Sequence, residues 1–200
     1  MKIYNSELLS LDECELIYNW FEDEKDVFKS STENGESYIS AHESNLPKDF
    51  PYVHKLLKDK IENKVFPLLS TPFNKLSVKT SFGCRYSMVT DPSMPCHYDG
   101  DDFTVLIYLN RGFIGGGTSF PLLKKVLTVT DVGVGNCVIF PGLDIKSWHG
   151  ALPITKGIRY TISVRLSRES LFYRIKNSFK IFILMPFTFL FNKYPTLHTK

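Results

Sequence analysis

From residue 76 onward the chain is a succession of short β-rich runs, at 76–80, 82–89, 103–109, 125–130, 137–140 and 158–166. Turn signals separate them, among them Asp91-Pro92, Gly115-Gly116-Gly117, Gly133 with Gly135, and Pro141-Gly142. Strands of this length and spacing point to an all-β sandwich or barrel. The residues ahead of them read differently. Ser10 and Glu13 form an S-x-x-E capping box, and Leu11, Cys14, Ile17, Tyr18 and Phe21 follow at helical spacing. A polar, broken stretch covers 23–50, with Asn34-Gly35, Pro47 and Pro51 as breaks. A second helix is predicted over 52–66, with Val53, Leu56, Leu57, Ile61 and Val65 as its apolar stripe and Pro67 as its stop. Two helices packed on one sheet would brace it. The expected class is mainly β with N-terminal supporting helices: 1–75 as helical support, 76–168 as the β core and 169–200 as a tail of different composition.

Two hundred residues, 43% of them apolar, are ample for one core. The net charge of +3 is too small to argue for a nucleic-acid partner, and none is expected. The four cysteines, Cys14, Cys84, Cys96 and Cys137, are scattered without C-x-x-C spacing. That pattern suits neither a zinc site nor a disulfide framework, so a reducing, cytoplasmic setting is expected. The opening residues show no secretory signal pattern. Oligomeric state is not legible.

Two features carry chemistry. In Pro95-Cys96-His97-Tyr98-Asp99-Gly100, His97 and Asp99 are two apart. On extended backbone, residues i and i+2 point to one side, so an imidazole and a carboxylate can converge. A second imidazole would complete a 2-His-1-carboxylate facial triad, which suits non-haem Fe(II) with open positions. His42 and His54 lie in the helical half and His198 in the tail, which leaves His149 in Ser147-Trp148-His149-Gly150 as the natural partner. The second feature is the final strand, where Arg159, Thr161, Ser163 and Arg165 alternate with an apolar set. A guanidinium on that polar face must be paired, and its fork matches a carboxylate. Spacing alone is equally satisfied by a surface ion pair. The apolar stretch 181–191, flanked by Arg174, Lys176, Lys180 and Lys193, is too short to span a bilayer. It reads first as a segment docked on the domain and second as one lying in a membrane interface.

His97-Tyr98-Asp99, the Gly115-Gly116-Gly117-Thr118-Ser119-Phe120-Pro121 segment, and Trp148-His149-Gly150 followed by Arg159-Tyr160 occur in one order. In this the chain resembles the iron- and 2-oxoglutarate-dependent dioxygenases, in particular the prolyl 4-hydroxylase branch, over about 76–166. The resemblance implies a double-stranded β-helix, or jelly roll. It implies Fe(II) on His97, Asp99 and His149. Arg159 would bind the distal carboxylate of 2-oxoglutarate, Tyr108 the same end, and Tyr86 would line the pocket, with Lys156 a less favoured rival to Arg159. Dioxygen would be the other cosubstrate, with ascorbate as an accessory reductant. The implied reaction is hydroxylation of an unactivated C–H bond, of a prolyl or similar residue in a protein or peptide, with release of succinate and carbon dioxide. The alternatives are the same chemistry on a small metabolite or lipid, and a jelly-roll binding module that has lost turnover.

Overall fold

The computed structural model describes residues 3–30, 42–69, 76–89 and 93–168. The tail 169–200 and the turns at Asn34-Gly35 and Asp91-Pro92 lie outside the described residues, so the docked and membrane readings of 181–191 do too.

Two antiparallel sheets face each other. The larger has seven strands in the order β1 (Tyr4–Glu7), β10 (Asn136–Pro141), β6 (Phe103–Tyr108), β13 (Ile158–Arg168), β4 (Leu76–Ser87), β3 (His42–Asn45) and β2 (Lys29–Ser30). The smaller has four, in the order β5 (Met94–His97), β11 (His149–Ala151), β8 (Thr118–Phe120) and β9 (Lys125–Leu127). A further pair joins β12 (Ile154–Lys156) to β7 (Ile114–Gly115). This is the expected mainly β jelly roll with supporting helices. Segment 1–75 gives the large sheet β1, β2 and β3 besides its helices.

The predicted first helix is α1 (Leu11–Asp23), and its capping box forms: Glu13 N donates to Ser10 Oγ at 3.2 Å and Ser10 N to Glu13 Oε2 at 2.8 Å. Cys14, Ile17 and Phe21 are its buried residues, whereas Leu11, at the first turn, is 63% exposed. A four-residue helix, α2 (Leu46–Asp49), leads into α3 (Pro51–Lys60). The predicted second helix does not stay α-helical to 66: one π turn (Ile61–Val65) and one 3₁₀ turn (Phe66–Leu68) follow α3. Val53, Leu57, Ile61 and Val65 are buried at strict four-residue spacing, which drifts around a 3.6-residue helix. The wider π turn absorbs the drift and keeps Val65 on the buried side.

These helices cover the outer face of the large sheet. Phe21, Phe28 and Phe50 meet Tyr160, Ile162, Val164, Val105 and Ile107 in the main core, and the Phe21 and Tyr160 rings lie 5.8 Å apart. Burial of each such side chain contributes roughly 1.5–3 kcal/mol. The inner face faces the small sheet, so β13 is buried on both faces, including the polar set Arg159, Thr161 and Ser163.

Two strand expectations need correction. The runs 76–80 and 82–89 are one continuous strand, β4. The predicted strand 125–130 ends at Leu127, because Thr128 and Asp131 form a capping box that starts the short helix α4 (Val129–Val132). The four cysteines are free thiols.

Candidate metal centre

The site is assembled by pairing β5 with β11, which sets His149 directly opposite His97, with ring centroids 4.6 Å apart. Gly150 permits that approach: a Cβ there would lie 2.6 Å from Met94 O and 2.9 Å from Cys96 N. Each imidazole is fixed by the carbonyl two residues before it. His97 Nδ1 lies 3.0 Å from Pro95 O, and His149 Nδ1 lies 2.8 Å from Ser147 O. A carbonyl can only accept, so both Nδ1 atoms carry hydrogen and both Nε2 lone pairs are left for a ligand.

Both Nε2 atoms face Asp99, whose side chain is fully buried: His97 Nε2 is 3.2 Å from Oδ1 and His149 Nε2 is 3.6 Å from Oδ2. The three ligand atoms lie within 4.8 Å of one another, and they form the group of His, Cys and carboxylate side chains that could hold a metal among the described residues. Asp99 Oδ1 is buried without a hydrogen-bond partner. A buried carboxylate with one oxygen left open beside an imidazole and a second imidazole near its other oxygen fits a divalent cation.

The electrostatics agree. Burial alone would raise the Asp99 carboxyl, but Arg165, His149 and His97 together hold it well below the usual carboxylate range. Burial lowers His149 to about 4, against the pull of Asp99, so it is neutral at physiological pH. Burial would lower His97 as well, but the pull of the Asp99 carboxylate beside it outweighs this and raises it. His54 belongs elsewhere, 2.8 Å from Ser81 Oγ.

Arg159, on the inner face of β13, is 1% exposed. Its Cζ lies 4.9 Å from the Tyr86 ring centroid and 5.0 Å from that of Tyr108. Nη2 donates to Thr118 Oγ1 at 3.1 Å, while Nε and Nη1 are buried without partners. No carboxylate among the described residues pairs with it. The cavity beside it is also lined by Tyr86, His97 and His149. Tyr108 is fully buried and its hydroxyl is engaged, with Thr118 Oγ1 at 2.7 Å and Leu127 O at 3.0 Å. Lys156 is exposed on β12 and does not line the cavity.

Two charged residues that sequence reasoning did not single out as site residues also line the cavity. Arg165 Nη1 pairs with Asp99 Oδ2, which also accepts from the Thr104 hydroxyl. Its period-two relation to Arg159 placed it on the polar face, but nothing local names its partner across the sheets. Glu43 sits on β3 opposite Cys84, in a stretch that reads only as polar and broken. Burial raises its carboxyl, opposed by Arg165 and His97.

No family model matches the chain. It is 30% identical over 102 residues to the 2-oxoglutarate and iron-dependent oxygenase domain-containing protein 2 of Mus musculus, a match covering 48% of this chain and 28% of the relative. The chain thus spans under a third of that protein's length. Among solved structures it resembles the viral collagen prolyl hydroxylase of Paramecium Bursaria Chlorella virus-1, in its 2OG complex, with a TM-score of 0.60 and 21% identity, covering 85% of this chain and 97% of that one. It also resembles a Trichoplax adhaerens prolyl hydroxylase in complex with a hypoxia inducible factor peptide fragment, with a TM-score of 0.58 and 17% identity, covering 84% and 83%. Over about half its length the chain is thus similar in sequence to a 2-oxoglutarate and iron-dependent oxygenase domain-containing protein, and its jelly-roll fold is similar to that of the solved prolyl hydroxylases.

Proposed function

We propose that the protein is an Fe(II)- and 2-oxoglutarate-dependent oxygenase that hydroxylates an unactivated C–H bond of a prolyl or similar residue in a protein or peptide, releasing succinate and carbon dioxide. The observation that carries this reading is one cavity with two complementary vacancies for charge. Asp99 Oδ1 and two imidazole nitrogens ask for a cation, and the two open N–H groups of buried Arg159 ask for an anion. A dicarboxylic 2-oxo acid chelating a metal ion satisfies both. The relatives' sequence and the prolyl hydroxylase fold support the reaction class, and the peptide bound by the Trichoplax protein supports a peptide substrate.

His97, Asp99 and His149 would hold Fe(II), which with 2-oxoglutarate and dioxygen supplies the oxidising power for C–H cleavage. The chain's own residues do the rest. Arg159 would orient the cosubstrate by its distal carboxylate, with Thr118 fixing the guanidinium's third nitrogen. The Tyr86 and Tyr108 rings wall that end and exclude water, which strengthens the ion pair. The backbone carbonyls of Pro95 and Ser147 keep both imidazoles in the ligating tautomer.

The test is anaerobic loading with Fe(II), then 2-oxoglutarate, ascorbate and air, with succinate measured over time. A panel of proline-containing peptides is then searched by mass spectrometry for a gain of one oxygen atom. Protein that holds Fe(II) but consumes no 2-oxoglutarate would refute the oxygenase reading; turnover without peptide oxidation would refute the peptide substrate.

A further inference from the structure

We propose that Arg165 is a positioning residue that confines Asp99 to one-oxygen ligation and so keeps a coordination position open for dioxygen beside bound 2-oxoglutarate; this rests on the oxygenase reading above. Arg165 stands opposite Thr104 of β6 in the large sheet. Its Nη1 donates to Thr104 Oγ1 at 2.9 Å and also pairs with Asp99 Oδ2, to which the Thr104 hydroxyl donates as well. One oxygen of Asp99, Oδ2, thus has two donors and lies 3.6 Å from His149 Nε2, while the other, Oδ1, has no hydrogen-bond partner and lies 3.2 Å from His97 Nε2. The arrangement is enclosed, with side-chain exposures of 15% for Arg165 and 0% for Asp99. The guanidinium cannot lose its charge.

Carboxylates bind metals through one oxygen or both. Turning Asp99 to offer Oδ2 as well would break its contacts with Arg165 and Thr104 and leave those mostly buried donors without their acceptor. Three one-atom protein ligands leave three positions on an octahedral ion; 2-oxoglutarate takes two and dioxygen one. A second oxygen from Asp99 would remove one of these. A purely electrostatic Arg165 would act differently: its loss would tighten metal binding by relieving repulsion and leave the number of open positions unchanged.

The test uses the whole 200-residue chain loaded with Mn(II), with water-proton relaxation to count exchangeable positions before and after 2-oxoglutarate is added. In Arg165→Ala, Mn(II) is expected to stay bound while relaxivity falls by about a third, as three open positions become two. With 2-oxoglutarate bound, the wild type is expected to keep one exchangeable position and Arg165→Ala none. Arg165→Lys keeps one donor and should recover most of both. Thr104→Val removes the other donor and should move both readouts the same way by less. Wild-type relaxivity in Arg165→Ala overturns the inference, as does loss of Mn(II) from a folded Arg165→Ala protein. If Arg165→Ala does not fold, Thr104→Val decides: unchanged relaxivity both with and without 2-oxoglutarate overturns it. Wild-type protein that takes up no Mn(II) is a different failure, which sinks the oxygenase reading itself.

Discussion

Replacing Arg159 with Met separates binding from stability, because the two should move in opposite senses. The Met side chain keeps the reach between the Tyr86 and Tyr108 rings, and a thioether packs well on aromatic edges. What it removes is a buried charge with two open donors, Nε and Nη1. If those donors clamp the distal carboxylate of 2-oxoglutarate, their loss strands that carboxylate in a dry pocket. Truncating one member of a buried, hydrogen-bonded charge pair costs about 2–5 kcal/mol. At ~1.4 kcal/mol per decade, the dissociation constant should rise by roughly 30-fold to 3,000-fold. In the ligand-free protein the sign reverses. Each open buried donor costs about 1–3 kcal/mol, against cation–π contributions of ~0.5–2 kcal/mol from each ring. Ligand-free Arg159→Met should therefore melt at or above the wild-type temperature while losing the upward shift that 2-oxoglutarate gives the wild type. The assays are titration of Mn(II)-loaded protein and thermal melts with and without 2-oxoglutarate. Lys156→Ala, on an exposed side chain, should be silent in both. A Met variant that binds 2-oxoglutarate within three-fold of wild type, or a Lys156→Ala variant that carries the loss, would refute the assignment.

Three further outcomes are expected. The Asp99 carboxylate raises the His97 pKa, so metal affinity should fall as pH drops through that pKa and binding there should release a proton; calorimetry in buffers of different ionisation heat reads the proton, and a pH-independent affinity contradicts it. His149, at about 4, is already neutral and should contribute no proton above pH 6. Gly116→Ala should weaken 2-oxoglutarate binding with metal affinity kept, because Gly116 has φ +66° and a Cβ there would lie 2.3 Å from Ile154 Cδ1 and 3.2 Å from Arg159 Cδ; the same two titrations decide. Protein ending near residue 170 should still bind metal, since the candidate ligands and paired β13 end by Arg168; liposome flotation against the full chain tests whether 181–191 meets a membrane, and loss of metal binding would tie the tail to the core.

How much of this was legible in the sequence depended on whether the signal was local. The His97–Asp99 spacing and the alternation of β13 are local, and the side chains they name do converge on one cavity. The α1 capping box is local too, and it forms as written. The small sheet was mostly illegible because β5, β8 and β11 are three or four residues long and carry His, Gly and Ser, which lack β propensity. Their strand character comes from pairing with one another. Glu43 was hidden for the same reason, in a four-residue strand held between β4 and β2. The strand predicted to run to 130 overshot because the Thr128–Asp131 box starts a helix inside the mostly β-branched run Val126-Leu127-Thr128-Val129.

The division of labour between the sheets explains why the site needs the whole jelly roll. Both histidines belong to the small sheet, and Asp99 follows two residues after β5. The groups that set the Asp99 carboxylate, Thr104 and Arg165, belong to the large sheet, as does Arg159. The candidate ligands therefore come from the small sheet and the residues just after β5, the large sheet sets the orientation of Asp99, and the proposed cosubstrate's two ends would touch both. Such a site is only as precise as the spacing between the sheets. That spacing is anchored by the large sheet, whose outer face is locked under α1 and α3 by Phe21, Tyr160, Ile162 and Val164. None of these core residues reaches the cavity, yet displacing β13 by even one residue of register would exchange its apolar set for Arg159 and Arg165 and empty the site of both cations. The helical N-terminal segment thus acts on the chemistry through register rather than contact, which is the support that a rigid element gives to a precise site.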